Sequence, residues 1–359
     1  MKQKKGFNLF IFVALLLHIP LFAYPVLRLS QWLELSSLIT MLVFIPVFFS
    51  QIFARKVLVN KVGPLVFAMR NMADFLLGYF FVLLVVLVLF EILVLIMSVS
   101  VSVSVSVSLA AQSVIFISSV FVLFGAVSAM RPKLVNIKLQ SDKLLKPIRF
   151  VQISDVHIGS RSVRFLETLM ARIERMDVDF LCITGDFIDQ PNISAEKLKS
   201  LGLYSKPIYY CTGNHERYED LDDILQRLAF HGVQVLRNKA INVNDIQIIG
   251  IDDQEDALQV NKQLENIAVN RELFSILLYH RPVGLEACDE HGIDLMLSGH
   301  THGGQIVPFN FLVDRVFERT SGLYFYGSSS LYVSEGTGTW GPMIRLGTRS
   351  EITMFDISN

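Results

Sequence analysis

Four long apolar segments fill most of the first third of the chain, at about 7 to 24, 35 to 53, 75 to 97 and 109 to 129. Each approaches or exceeds the roughly 17–25 residues a helix needs to cross a hydrocarbon core, where only helices and closed barrels satisfy every backbone amide and carbonyl. The chain therefore has to serve two environments, and its charges divide the same way. Residues 1 to 130 hold eight Lys or Arg and three Asp or Glu, while the remaining 229 hold 24 and 30. The expected organisation is an all-α transmembrane region of about four helices at 1–130, a basic and apolar linker at 131–147, and a separate domain at 148–359.

The first segment follows the basic start MKQKK but is expected to stay as a span, because three more spans follow and no small-residue cleavage site stands after it. Lys2, Lys4 and Lys5, then Arg55, Lys56, Lys61 and Arg70, then Arg131 and Lys133 flank the spans on one side, against only Arg28 on the other. By the cytoplasmic excess of Lys and Arg, four crossings bring the chain back to the side where it began, which predicts an integral protein of the cytoplasmic membrane with its C-terminal domain in the cytoplasm. His18 and Glu91 fall inside spans and are read as packing or interface positions rather than as intramembrane functional groups. The stretch SVSVSVSVSVS at 98 to 108 is read as a short linker or an extension of a neighbouring helix. Cys182, Cys211 and Cys288 are odd in number and lack metal-site spacing, so buried thiols are expected.

From about residue 148 the pattern changes. Apolar runs at 149 to 154, 179 to 184, 207 to 212, 246 to 251, 273 to 279 and 293 to 298 read as buried strands, and 161 to 175, 194 to 203, 219 to 230 and 257 to 268 read as helices. Shorter runs at 323 to 328, 331 to 333 and 350 to 356 read as further strands. The expectation is a layered α/β domain with its own core. Polar residues gather just past the strands: Asp155 and His157 after RFVQIS, Asp186 after FLCIT, Asn214, His215 and Glu216 after YYCT, His280 after SILLY, and His300 and His302 after DLMLS. Carboxyl ends of strands are where open α/β sheets place ligands.

Asp155, His157, Asp186, Asn214, His280, His300 and His302 offer more oxygen and nitrogen donors than one tetrahedral zinc with an open position can use. They suit two ions sharing a carboxylate. Nitrogen-rich ligation favours manganese, iron, zinc or cobalt over magnesium or calcium. Two such ions, about 3.5–4 Å apart, clamp a phosphate and activate water for in-line attack, although the same pair could hydrolyse an amide or a lactone. His215 is placed to stabilise charge beside a phosphate and to protonate a leaving oxygen. Glu216 is expected to orient it. Arg217 is read either as a possible substrate contact through its forked donors or as one half of a surface ion pair, and His231 and His291 as surface residues.

The ordered blocks DVH, GDFID, GNHE, YHRP and GHTHGGQ resemble the calcineurin-like metallophosphoesterase superfamily, and within it a membrane-associated bacterial branch related to the YkuE and YaeI proteins. The resemblance covers roughly residues 147 to 358. It implies a four-layer αββα metallophosphoesterase sandwich, two sheets flanked by helices. It further implies one metal held by Asp155, His157, Asp186 and His302, a second held by the bridging Asp186 with Asn214, His280 and His300, and a catalytic role for His215. The metals it implies are two divalent or transition ions, Mn2+ first, with Fe, Zn or Co in second place.

For substrate, the tether would confine the site near a bilayer and raise the local concentration of lipids. Relatives of this kind include enzymes acting on phospholipids and on UDP-linked acylated glucosamine, so the leading expectation is a lipid-linked phosphate substrate of phospholipid or UDP-diacylglucosamine type. The alternatives are a phosphodiesterase of soluble cyclic nucleotides or other small phosphoesters, and a non-catalytic membrane sensor or scaffold with a metal-stabilised domain. The segment from 131 onward carries a net charge of −6 (24 basic against 30 acidic residues) and no basic aromatic stripe, so no nucleic acid partner is expected. PFNFLVDRVF, 308 to 317, reads as an amphipathic cap packed on the domain or as an apolar approach to the metals, and Trp340 as part of another rim.

Overall fold

The computed structural model describes residues 16–58, 61–100, 106–190 and 193–359. By compactness the chain divides into two units, Met1–Ala126 with Gly341–Ile344, and Val127–Trp340 with Arg345–Asn359.

Among the described residues of the first unit and its junction with the second, three helical stretches are long and apolar enough to cross a membrane: Ser37–Val57, Pro64–Met97 and Val107–Met130. They match three of the four expected spans. The first segment begins outside the described residues, and its visible part passes through Ile19–Ala23 into the helix Tyr24–Trp32. Residues 98 to 100 complete the helix Pro64–Ser100, and Val107 and Ser108 begin the next, so the described ends of the Ser-Val repeat extend the neighbouring helices; 101 to 105 lie outside the described residues. The helices share a core of Phe22, Val26, Leu29, Phe80, Leu83, Leu87 and Val114. Glu91 is not left alone in this apolar setting: Arg28 Nε lies 2.6 Å from its carboxylate and the Tyr24 hydroxyl donates to it. His18 is paired as well, 2.6 Å from the carbonyl of Phe48.

The second unit carries twelve strands among the described residues: β1 (Lys133–Gln140), β2 (Ile148–Ile153), β3 (Phe180–Thr184), β4 (Ile208–Cys211), β5 (Val233–Val235), β6 (Lys239–Val243), β7 (Ile246–Gly250), β8 (Phe274–Leu278), β9 (Leu295–Ser298), β10 (Gly322–Tyr326), β11 (Ser329–Val333) and β12 (Glu351–Ser358). They form two six-stranded sheets, ordered β1-β12-β2-β3-β4-β5 and β10-β11-β9-β8-β7-β6. Both are mixed: β2 to β5 run parallel, as do β7, β8, β9 and β11, with antiparallel partners β12, β6 and β10.

The β2, β3 and β4 runs are apolar on both faces because both are covered. One core unites Phe150, Phe180, Tyr209 and Phe355 from the first sheet with Ile248, Ile276, Leu278, Leu297 and Tyr332 from the second. A second core packs Val151, Leu181, Ile183 and Tyr210 against the helices Val163–Glu174 and Leu221–Phe230. A third packs Ile249, Leu277 and Met296 beneath the helices Gln259–Leu264 and Leu285–His291. The three cysteines are buried free thiols.

Residues 133 to 140, expected in a linker, form β1, which lies beside β12 in parallel register from Lys133↔Glu351 to Gln140↔Ser358. Val135, Ile137 and Leu139 alternate toward the inter-sheet core while Asn136, Lys138 and Gln140 stay exposed. The alternation was present in the sequence but was masked by Lys133 at its start and Lys138 on its outer face. At the centre of the core, Phe150 stacks between Phe180 and Phe355 with ring centroids 4.8 and 4.9 Å away. Phe150→Ala should cost about 3–5 kcal/mol, read as a lower unfolding midpoint of the full-length protein in detergent.

Candidate metal centre

The sheets present their strand exits to one place. Asp155, Asp186, His280 and His300 each stand two residues beyond the last residue of β2, β3, β8 and β9, which end at Ile153, Thr184, Leu278 and Ser298. Asp155, His157, Asp186, His300 and His302 all adopt positive φ, between 48° and 73°. A left-handed non-glycine residue is uncommon and costs free energy, so five of them in one cluster mark backbone bent to aim side chains. Glycines give the turns room. A Cβ on Gly213 would collide with the carboxylate and amide of Asp186, and one on Gly299 with the Ser154 hydroxyl and the Asp155 carboxylate.

The donor atoms converge in two groups. His157 Nε2 lies 3.1 Å from His302 Nε2, and Asp155 Oδ1 is 3.4 Å from His302 Nε2. Alongside, His280 Nε2 lies 3.2 Å from His300 Nδ1 and 3.1 Å from Asp186 Oδ2. In each group the mutually close atoms could hold one metal ion: Asp155, His157 and His302 in one, Asp186, His280 and His300 in the other. Asn214 adds a further donor, since its buried Oδ1 has no hydrogen-bond partner. Imidazole nitrogens turned toward one another and a buried amide oxygen with no partner are costly unless a cation joins them. The residues present therefore fit a pair of metal ions.

Electrostatics agree. Burial, with the neighbouring positive groups, holds His300 and His302 well below the ordinary imidazole value, in the neutral form that a metal ligand requires. His280 keeps its tautomer by facing Nδ1 to the Thr184 carbonyl at 2.8 Å, which leaves Nε2 for the site. Burial opposes a charge on His280, but the Asp186 carboxylate overrides it and pushes the ring up to about 10. Burial likewise resists ionisation of Asp186, yet His280 beside it holds the carboxyl well below the ordinary value. A bound cation would replace that proton.

A calcineurin-like phosphoesterase family pattern matches residues 148 to 304. An uncharacterized metallophosphoesterase of Campylobacter jejuni is 32% identical over 255 residues, 68% of this chain and 68% of its own length. The chain belongs to the calcineurin-like phosphoesterase family. A transmembrane protein with a metallophosphoesterase domain from Danio rerio is 30% identical over 266 residues, covering 67% of this chain and 60% of that protein. The uncharacterized metallophosphoesterase YkuE of Bacillus subtilis is 30% identical over 230 residues, covering 59% and 79%.

Within this phosphoesterase fold the other site residues fall around the two groups. The His215 side chain is 21% exposed, against 0% for His157 and His280 and 9% for His302; its backbone amide donates to Asp186 Oδ1 at 2.8 Å and its ring meets that of His157 edge-on at 4.8 Å. Glu216 does not orient it. Its fully buried carboxylate accepts the backbone amides of Asp186, Phe187, Ile188 and Gly213 at 2.6 to 3.1 Å, because the helical turn Asn214–Tyr218 points it back beneath the Asp186 loop. Arg217 pairs with the buried Asp253 at 2.9 Å, a carboxylate it shares with Arg281. His231 and His291 stand apart from the donor groups, on the Ala195 carbonyl and the Asn261 side chain.

Two residues escaped the sequence reading. Asp189 Oδ2 lies 3.3 Å from His157 Nδ1, on the side of the ring away from the donor group; its signal was the second carboxylate in GDFID. Arg345 is fully buried and donates to the carbonyls of Glu335 at 2.6 Å, Gly338 at 2.8 Å and His302 at 3.2 Å. No local spacing announces it, because its partners are assembled by the fold from 302 and from 335 to 338.

Asp189→Asn should weaken metal binding roughly 10–100-fold, the usual loss when a carboxylate behind a ligating imidazole is removed, as measured by metal titration of the full-length protein. Manganese added to metal-free protein at mildly alkaline pH should release about one proton, from His280, seen as a buffer-dependent heat of binding, and the apparent affinity should fall as pH is lowered.

Proposed function

We propose that the chain is a membrane-tethered, metal-dependent phosphoric ester hydrolase whose substrate is a lipid-linked phosphate, of phospholipid or nucleoside-diphosphate-linked acyl-sugar type. The observation that carries this reading is the pairwise convergence of four imidazole nitrogens, 3.1 and 3.2 Å apart, beside a buried Asn214 oxygen with no partner. Asp155, His157, Asp186 and His302 would hold one ion and Asp186, Asn214, His280 and His300 the other. Mn2+ is the leading candidate for both. When bound, the two cations supply the charge that draws in a phosphoryl group and the acidified water that attacks it in line.

The chain's own residues do the rest. His215 lies on the open side of the cluster, and burial together with His157 lowers its pKa. In its protonated form it gives a proton to the departing oxygen as the P–O bond breaks. Glu216 keeps the Asp186 loop from moving, and the Asp253 carboxylate holds the Arg217 and Arg281 forks in place.

The reading assigns residues 133–359, from β1 onward, to a four-layer αββα phosphoesterase domain and 1–130 to the membrane region. The distribution of Lys and Arg supports placing the domain on the cytoplasmic face, and the spanning helices support a substrate that resides in or on the bilayer.

The test is hydrolysis by detergent-purified, manganese-loaded protein of phospholipids, UDP-diacylglucosamine, cyclic nucleotides and aryl phosphates, with Asp186→Asn as control. Preferential turnover of a lipid-linked member, abolished in the variant, is the expected result. Turnover of soluble esters alone removes the lipid substrate from the proposal, and no turnover by folded, metal-loaded protein overturns the hydrolase itself.

A further inference from the structure

The residues that follow the histidine pair carry a feature the metal centre does not use. The helix Asn310–Val316 buries none of its residues. Phe311, Leu312 and Val316 are 63%, 54% and 69% exposed, and Phe309, one residue before the helix, is 45% exposed. The packed cap expected for this segment is not formed, because polar bonds rather than apolar contacts hold the segment down. The Thr301 hydroxyl donates to the Thr320 carbonyl at 2.6 Å, and the Thr320 hydroxyl donates to Asp314 at 2.8 Å. The large side chains are left outside.

A second exposed aromatic stands across the donor cluster. Trp340 is 51% exposed, and its backbone is clamped to the side chain of Gln305, whose Nε2 donates to the Trp340 carbonyl at 3.1 Å and whose Oε1 accepts its amide at 2.9 Å. Both sides border the site: Phe317, which ends the exposed helix, meets His300 at 5.3 Å between ring centroids, and Trp340 meets His215 at 6.4 Å. The open edge of the metal centre is thus rimmed by apolar groups fixed by backbone and polar anchors. Soluble surfaces rarely gather so many large apolar side chains in one place without a partner.

Chain connectivity identifies the partner. The last apolar helix ends at Met130 and β1 begins at Lys133, so only Arg131 and Pro132 separate a membrane-crossing stretch from the domain that bears the rim. Two residues span at most about 7 Å, and the domain cannot leave the bilayer surface. Trp and Phe beside charged residues, here Asp314 and Arg315, are the composition that settles at the level of lipid headgroups.

We propose that the helix Asn310–Val316 and Trp340 form a lipid-facing rim that sinks into the interface of the bilayer in which the chain is anchored, so that the metal centre opens at headgroup depth. The occupant is the bilayer itself, neither a second copy nor a soluble partner. The surface stands on exposure and connectivity. Only its consequence, that lipid phosphates are presented to the site without leaving the membrane, rests on the function proposed above.

Because the chain has two tryptophans, Trp32→Phe leaves Trp340 as the only indole. The full-length variant is reconstituted in phosphatidylcholine nanodiscs whose acyl chains are brominated near the interface, and in matched unbrominated discs. Loss of Trp340 emission in the brominated discs, with shielding from acrylamide, is the expected result. Equal emission in both discs with full access to acrylamide overturns the proposal. Should Trp32→Phe fail to fold, Phe311→Cys labelled with a fluorophore gives the same readout, since the native thiols are all buried.

A second arm separates this proposal from the substrate reading. Phe311→Ser with Leu312→Ser should lower hydrolysis of a bilayer-borne phosphoester while leaving aryl phosphate turnover unchanged. Quenching without any turnover of lipid phosphoesters leaves the rim standing and removes the lipid substrate; lipid turnover without quenching does the reverse.

Discussion

A single buried carboxylate organises the centre. Glu216 accepts amides from Gly213 and from Asp186, Phe187 and Ile188, tying the exit of β4 to the exit of β3. Burial and the nearby Asp186 push this carboxyl up to about 7, against the pull of the amides that bind it. Those bonds let Asp186 hold positive φ, and from that bend its carboxylate meets both the His215 amide and the His280 ring. Gln152 plays the corresponding part between sheets, donating to the Thr184 hydroxyl and to the Ser298 carbonyl, so that the exits of β3 and β9 stay in register. The donor geometry is therefore set by groups that would never touch a metal.

The donors themselves were legible because strands announce their ends. An apolar run followed two residues later by Asp or His, repeated at Asp155, Asp186, His280 and His300, is a pattern that can be read without coordinates. The strands that carry them were legible for the same reason, since runs buried on both faces stand out from their surroundings. What escaped was whatever depends on partners far away in the chain. Glu216 looked like a neighbour of His215, but the turn it sits in points it under a loop 30 residues earlier. Arg345 meets carbonyls from two separate segments, and β1 becomes a strand because β12 lies alongside it.

The apolar helices show the same limit from the other side. Their length and hydropathy are set locally and were plain, whereas the pairing of Glu91 with Arg28 and Tyr24 joins residues more than 60 positions apart. A carboxylate in an apolar setting without those donors would be far more costly. The pair gives Glu91 a structural account that needs no transport or signalling role.

The order of strands in the first sheet has a consequence for how the molecule comes into being. β1 reaches the sheet only through β12, which lies between β1 and β2. During synthesis, the strand that leaves the last apolar helix waits, with both edges bare, until residues 351 to 358 emerge from the ribosome. Membrane insertion of the helices can begin long before, so a nascent chain already held at the bilayer carries an unfinished sheet whose apolar face, Val135, Ile137 and Leu139, has nothing yet to cover it. Pairing of β1 into the phosphoesterase sheet is thus a late event, and an open strand edge beside a lipid surface is the hazard the growing chain must survive until then.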